Sequence, residues 1–152
     1  MIIFVLRHAD KKTAPGADDL TSAGRARAQL LARMIGESGL SAAFCSNAKR
    51  TQLTLKPLKD LLGAGLKITE VTIDGADQPD KHVDTIVAAI NGLGSDVIAA
   101  IVSHSNTVPL IIAGLGGGDV GPIEDDEFDK LFVLFDGPGG KTVLKLRYGA
   151  AT

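Results

Sequence analysis

Three places along the chain carry side chains able to do chemistry together: Arg7-His8, Arg50, and Ser103-His104-Ser105-Asn106. Each follows a short apolar run, IIFVL before Arg7, AAFC before Ser46-Asn47-Ala48-Lys49-Arg50, and IAAIV before Ser103. An arginine directly after five apolar residues is hard to explain as a solvated surface charge, which weighs against two core histidines and two surface arginines. A guanidinium offers a rigid fork of donors to phosphate oxygens and keeps its charge at any working pH. A neutral imidazole is a competent nucleophile and can carry a covalent intermediate. Phosphoryl transfer needs mainly in-line positioning and charge stabilisation. Two imidazoles and two guanidiniums in one pocket would supply both without a metal or a cofactor. The residues alone leave open which histidine attacks.

The elements that must position these groups follow from periodicity. Apolar runs at residues 2–6, 42–45, 66–73 and 97–102 are expected strands, the last buried on both faces because its residues do not alternate. Between them lie expected helices. The first begins near Arg25 with Thr21 as N-cap, Gly39 as a left-handed terminator, and Ala26, Leu30 and Met34 on its inner face. The second covers about 48–62. The third covers 80–90, with Val83, Ile86, Val87 and Ile90 aligned, and a short one over 107–113 has Pro109 in its first turn. Strands separated by helices argue for parallel pairing through right-handed crossovers. Residues 131–135 and 142–148 flank a glycine-rich turn and read as a hairpin. The expected fold is a three-layer α/β/α sandwich in a single domain over 1–152, mostly parallel with an antiparallel C-terminal edge strand. In such sheets ligands bind beyond the carboxyl ends of the strands. Arg7, His8, Arg50 and His104 therefore converge, and helices starting after Asn47 and His104 would aim amides at the same anion.

Composition fits a soluble globular protein: 45% hydrophobic, 22% charged and a single cysteine, which rules out an internal disulfide and suits a reducing, cytoplasmic compartment. The N-terminal apolar run is too short for a signal-peptide core or a membrane span. Residues 1–60 hold ten Lys/Arg against five acids, and the remainder six against thirteen. Solvated helix faces account for much of this, and part of the basic half suits an anionic substrate. With five Phe, one Tyr and no Trp, base stacking on nucleic acid has little support.

At these residues the chain resembles the histidine phosphatase superfamily, which contains the phosphoglycerate mutases. Leu6-Arg7-His8-Ala9-Asp10 is similar to its Arg-His-Gly motif after the first strand, with Ala9 in place of glycine. Leu20-Thr21-Ser22-Ala23-Gly24 resembles its Leu-Thr-x-x-Gly helix start. Ser46-x-x-x-Arg50-Thr51 and Ser103-His104-Ser105-Asn106 resemble its later motifs, and Tyr148-Gly149 its final strand. The resemblance implies a phosphoglycerate mutase-like fold and a phosphohistidine intermediate on His8. Arg7, Arg50 and His104 would bind phosphoryl oxygens and stabilise the transition state. Many members carry an acid after the third strand that protonates the leaving group. Here that stretch is Ile73-Asp74-Gly75-Ala76-Asp77-Gln78-Pro79-Asp80, where Asp77 is the first choice and Asp74 and Asp80 are otherwise solvated. The short, SixA-like phosphohistidine phosphatases manage without a defined acid, and this chain shares their size.

The expected activity is hydrolysis of a phosphomonoester or phosphoramidate, on a small phosphorylated metabolite or a phosphohistidine protein. A phospho-ligand binding module without turnover and a mutase-type phosphotransferase are the alternatives. Selectivity is expected from loops 9–19, 74–82 and 114–127. The segment 114–122 is the expected mobile part, and Lys11 and Lys12 either meet a distal anion of the substrate or face water. The run 124–127 is expected to be solvated or to cap the next helix or strand, Cys45 to pack as a core residue, and His82 to be an ordinary surface residue. Gly139-Gly140-Lys141-Thr142 lacks the first glycine of a nucleotide-binding loop and is rejected as one.

Overall fold

Strand residues that alternate between two apolar layers build both faces of one sheet. The computed structural model describes residues 1–74 and 78–152. In chain order these form β1 (Ile2–Arg7), α1 (Ser22–Ile35), β2 (Ala42–Cys45), α2 (Lys49–Leu62), β3 (Lys67–Glu70), α3 (Gln78–Asn91), β4 (Ile98–Ser103), α4 (Val108–Gly114), β5 (Lys130–Gly137) and β6 (Gly140–Arg147). Ile3, Val5, Phe44, Ala99 and Ile101 face one layer, where they meet Val83, Ile86 and Ile90 of α3 and Val108, Ile111 and Ile112 of α4. Leu6, Ala43, Cys45, Ala100 and Val102 face the other, against Leu31, Ala32 and Ile35 of α1 and Leu55 and Leu58 of α2. The arrangement is a three-layer α/β/α sandwich.

The sheet order is β3-β2-β4-β1-β5-β6. The β2–β3, β2–β4 and β1–β4 pairs are parallel, while β1–β5 and β5–β6 are antiparallel. β6, the edge strand, pairs antiparallel with β5 as the hairpin pattern requires. No helix among the described residues is long and apolar enough to cross a membrane. Cys45 is a free thiol in the core, and burial pushes it up to about 11.

Two expectations about α1 fail. The inner face of α1 is not Ala26-Leu30-Met34: Ala26 is exposed, Met34 is 47% exposed, and the buried set is Gly24, Arg27, Ala28, Leu31, Ala32 and Ile35. Ala28, Leu31, Ala32 and Ile35 are themselves at helical spacing, and Arg27 shares their face rather than the track of Ala26, Leu30 and Met34. Arg27 is buried because its guanidinium has internal partners: Asp10 Oδ2 at 2.7 Å, and the carbonyls of Tyr148 and Ala150. The helix also stops at Ile35, so Gly39, left-handed at φ 85°, lies beyond its cap. The segment after α4 is anchored as well as irregular. Val120 and Ile123 are buried, and Lys145 and Lys130 donate to the carbonyls of Val120 and Pro122.

Residues 20–24 hold the loop that follows β1. Thr21 caps α1 by accepting from the Gly24 amide at 3.0 Å, and the Thr21 amide donates to the Asp10 carbonyl at 2.9 Å. Gly24 lies so close to this carbonyl that an added Cβ would overlap it. Gly24→Ala is therefore expected to destabilise the protein by about 1–3 kcal/mol by overpacking against main chain. Urea unfolding measures this, and an unchanged midpoint would refute the contact.

Candidate active site

The parallel register decides which side chains meet. Leu6 and Cys45 both pair with Val102, and Arg7 pairs with Ser103. β1, β2 and β4 thus end at one level, and the next residues along each strand are His8, Ser46 and His104. The His8 amide donates to the Ser103 carbonyl at 2.9 Å, carrying the β1–β4 ladder one step further. The imidazoles of His8 and His104 then lie with ring centroids 5.4 Å apart, edge to face.

His8 is 2% exposed, with Nδ1 2.8 Å from the Ala9 carbonyl. A carbonyl only accepts, so Nδ1 carries the proton and Nε2 the free lone pair. Burial pushes His8 down to about 3, the neighbouring His104 ring and the Arg7 and Arg50 cations add to this, and the Ala9 bond opposes it. His104 has the opposite tautomer. Arg50 Nη2 lies 3.3 Å from His104 Nδ1 and can only donate, so Nδ1 accepts and Nε2 donates to Ser46 Oγ at 2.9 Å. Burial and then Arg50 lower His104 to about 4. Both rings are neutral at pH 7.

The two guanidiniums are fixed differently. Arg7, 5% exposed, donates through Nη1 to the main-chain carbonyls of Glu124, Asp125 and Glu127 at 3.0, 2.9 and 2.9 Å, and its Cζ lies 4.0 Å from the centre of the Phe128 ring. Arg50 donates through Nη1 to Asp18 Oδ1 at 2.6 Å. The Nε of each arginine is buried without a partner among the described residues.

Arg7, His8, Lys11, Asp18, Arg50 and His104 line one open cavity of about 560 Å³, together with Asn47, Ile73, Pro79 and Asn106. The sequence-derived quartet is therefore brought together. Lys11 reaches this cavity, whereas Lys12 pairs with Asp19 at 3.6 Å. Loop 9–19 forms a wall through Lys11 and Asp18, and loop 74–82 through Pro79. Loop 114–127 instead contributes Asp125 and Asp126 to an adjoining depression, beside Arg7, Lys11, Thr13 and Phe128. Glu124, Asp125 and Asp126 are exposed, as expected for a solvated run. Asp74 and Asp80 are exposed and do not line the cavity. Asp77 lies outside the described residues. Among those described, no three His, Cys, Asp or Glu side chains are grouped to hold a metal ion.

Sequence reasoning missed three participants. Asp18 accepts from the Lys49 amide at 2.7 Å and the Arg50 amide at 3.4 Å as well as from the Arg50 side chain, so the amides expected to face a ligand at the start of α2 already hold a carboxylate. Burial pushes the Asp18 carboxyl up, but these bonds outweigh it and hold the group below the usual carboxylate range. Phe128, whose ring centroid is 5.9 Å from that of His8, carried no signal. His82 is not a surface residue: it is fully buried, with Nδ1 2.9 Å from the Val71 carbonyl and Nε2 2.9 Å from Ser103 Oγ. Its spacing to Ile86 and Ile90, four and eight residues on, placed it on the buried face of α3 all along.

Comparison with known proteins agrees with this fold. The sequence profile of the histidine phosphatase superfamily (branch 1) matches residues 3–74, which include Arg7, His8 and Arg50 but not His104. No curated protein matches the chain. Among solved structures, a protein histidine phosphatase SixA complexed with tungstate superposes with a TM-score of 0.72 at 20% identity, covering 97% of each chain. The alpha-ribazole phosphatase from Shigella flexneri gives 0.72 at 16%, covering 100% of each chain. A mycobacterial glucosyl-3-phosphoglycerate phosphatase in complex with VO3 gives 0.66 at 12%, covering 99% of each. In motif the chain resembles the histidine phosphatase superfamily, and its fold is the phosphoglycerate mutase-like one.

The lowered histidines make stability depend on pH. The ordinary imidazole value is 6.5, and His8, His104 and His82 all lie below it in the folded chain. As pH falls below 6.5 the unfolded chain takes up protons that the folded chain refuses, so stability present above 6.5 is lost toward the folded values. Between pH 6.5 and 5, above the carboxylate range, unfolding free energy is expected to drop by up to about 1.4 kcal/mol per pH unit for each of His8 and His104, with His82 acting in the same direction. Urea unfolding at pH 7, 6 and 5 measures this, and a flat profile would show that the rings are not held neutral.

Proposed function

We propose that this chain works as a histidine phosphatase, one domain over residues 1–152 that hydrolyses a phosphomonoester or phosphoramidate through a phosphohistidine on His8. The observation that carries this reading is the His8 tautomer: a bare Nε2 in a cavity whose described fixed charges are Arg7, Lys11, Arg50 and Asp18. Nε2 attacks phosphorus, the bond from phosphorus to the leaving oxygen or nitrogen breaks, and the leaving group takes a proton from water or, for an ester, from Asp77. Water then attacks the phosphohistidine, releasing phosphate and restoring the neutral ring. Arg7 and Arg50 grip equatorial oxygens through the guanidinium edges that their internal bonds leave over. His104, neutral and steadied by Ser46, meets the same group from the side. Such preorganised donors contribute most where charge is spread in the transition state.

The choice of leaving group follows from the acid. Asp18, the sole carboxylate lining the cavity among the described residues, is held ionised by Arg50 and two amides, so it has no proton to give at neutral pH. That supports a substrate that leaves without strong acid help, and a phosphoramidate such as a phosphohistidine protein fits best. A small phosphorylated metabolite with a good leaving group comes next, with Asp77 as the proton donor. Nothing in the composition or in the described surface favours nucleic acid or a membrane as partner, and the free Cys45 suits the cytoplasm. The same ionised Asp18 favours, as the second reading, a module that binds phosphoryl groups without turning them over. A mutase would move phosphate within one substrate rather than release it.

His8→Ala is expected to abolish hydrolysis of p-nitrophenyl phosphate while leaving circular dichroism unchanged, and alkaline-quenched reactions of the unaltered protein should trap phosphate on His8. His104→Ala is expected to lower kcat by about 10²–10³. A His8→Ala protein that keeps most of its activity would overturn the assignment. Vanadate binding with no hydrolysis on any substrate would establish the binding module.

A further inference from the structure

Resting on the phosphatase reading, we propose that His82 is a positioning residue for the active site, acting through the Ser103 hydroxyl on the main chain of both His8 and His104. Ser103 lies between the two histidines in the hydrogen-bond network. Its carbonyl accepts from the His8 amide at 2.9 Å, and its hydroxyl contacts His82 Nε2 at 2.9 Å and Thr107 Oγ1 at 2.7 Å. Thr107 Oγ1 in turn accepts from the His104 amide at 3.1 Å. His82, Ser103 and Thr107 are all fully buried.

The directions in this chain follow from His82, with the Thr107 hydroxyl proton drawn to Ser103 Oγ at 2.7 Å and, less closely, to the His104 carbonyl at 3.3 Å. The Val71 carbonyl accepts from His82 Nδ1, so a neutral His82 has a bare Nε2 that must take the Ser103 hydroxyl proton. With its proton committed, Ser103 Oγ accepts from Thr107, whose remaining lone pair receives the His104 amide. The run from the His104 amide through Thr107 and Ser103 to His82 and the Val71 carbonyl points one way throughout. It joins the end of β4 to α3 and to the segment that follows β3. Deleting the acceptor at its far end frees the Ser103 rotor and, with it, the main chain under both imidazoles.

Asparagine and glutamine separate the two ends of His82. An asparagine amide replaces the Nδ1 position and keeps the Val71 bond, whereas a glutamine amide reaches the Nε2 position and keeps an acceptor for Ser103. If His82 acts through Ser103, His82→Asn is expected to lower kcat about tenfold to a hundredfold with KM changed less than about twofold, because sub-ångström misplacement falls on the reacting groups. His82→Gln should stay within about threefold of the unaltered protein. Ser103→Ala should reproduce the His82→Asn loss, and combining the two should add little, because both remove one interaction. A merely structural tether through Val71 predicts the reverse order, with His82→Gln the worse, and that result, or a fully active His82→Asn, overturns the proposal.

Vanadate affinity by calorimetry keeps the test independent of turnover. If the unaltered protein hydrolyses nothing, the phosphatase reading fails alone, and about tenfold weaker vanadate binding by His82→Asn but not His82→Gln still upholds the positioning role. Equal affinities, or no vanadate binding by the unaltered protein, overturn it. Should His82→Asn fail to fold, the Ser103→Ala and His82→Gln proteins decide between the same outcomes.

Discussion

Everything at the rim of the sheet follows from one main-chain hydrogen bond, from the His8 amide to the Ser103 carbonyl. It extends a parallel ladder past the last formal strand residue, and so commits two imidazoles from distant parts of the chain to the same level. Neighbouring strands lie about 4.8 Å apart, and the ring separation of 5.4 Å is this spacing carried out to the side chains. A slip of one residue would turn every side chain of β1 to the opposite layer. Two buried cores, fed alternately by Ile3 and Val5 on one side and Leu6 on the other, forbid it.

Within that frame, cationic side chains outnumber acidic ones around the cavity among the described residues. Arg7, Lys11 and Arg50 face one carboxylate, while burial keeps both imidazoles uncharged. Two buried guanidinium Nε donors have no partner among the described residues. An unmade bond of this kind costs about 1–3 kcal/mol. Asp18 holds Arg50 and the first amides of α2 in one orientation.

Much of this was legible in the sequence, for physical reasons that also explain the gaps. Apolar runs that do not alternate announce strands buried on both faces, and such strands with intervening helices leave few topologies. The residues after IIFVL, AAFC and IAAIV had to share an edge, so Arg7, His8, Arg50 and His104 could be picked out together. What hydropathy could not register was a polar side chain satisfied inside. Arg27 is buried on α1 beside Ala28, Leu31 and Ile35, where its type argued for water. His82 kept the spacing of its apolar neighbours, four residues before Ile86, yet its type argued for the surface. Asp18 and Phe128 are brought to the site by loops, whose paths depend on main-chain bonding that no periodicity encodes.

The bonding of Arg7 bears on how such a site can change its substrate. Its guanidinium is held by three carbonyl oxygens of residues 124–127 and by none of their side chains. The acceptors belong to the peptide backbone, which is the same for every amino acid. The side chains at Glu124, Asp125 and Asp126 make none of these bonds and can vary in size as long as the turn keeps its path, although the charges of Asp125 and Asp126 do favour the Arg7 cation. On the proposed reading, recognition of what is attached to the phosphoryl group could diverge on this side of the pocket while Arg7 stays in place.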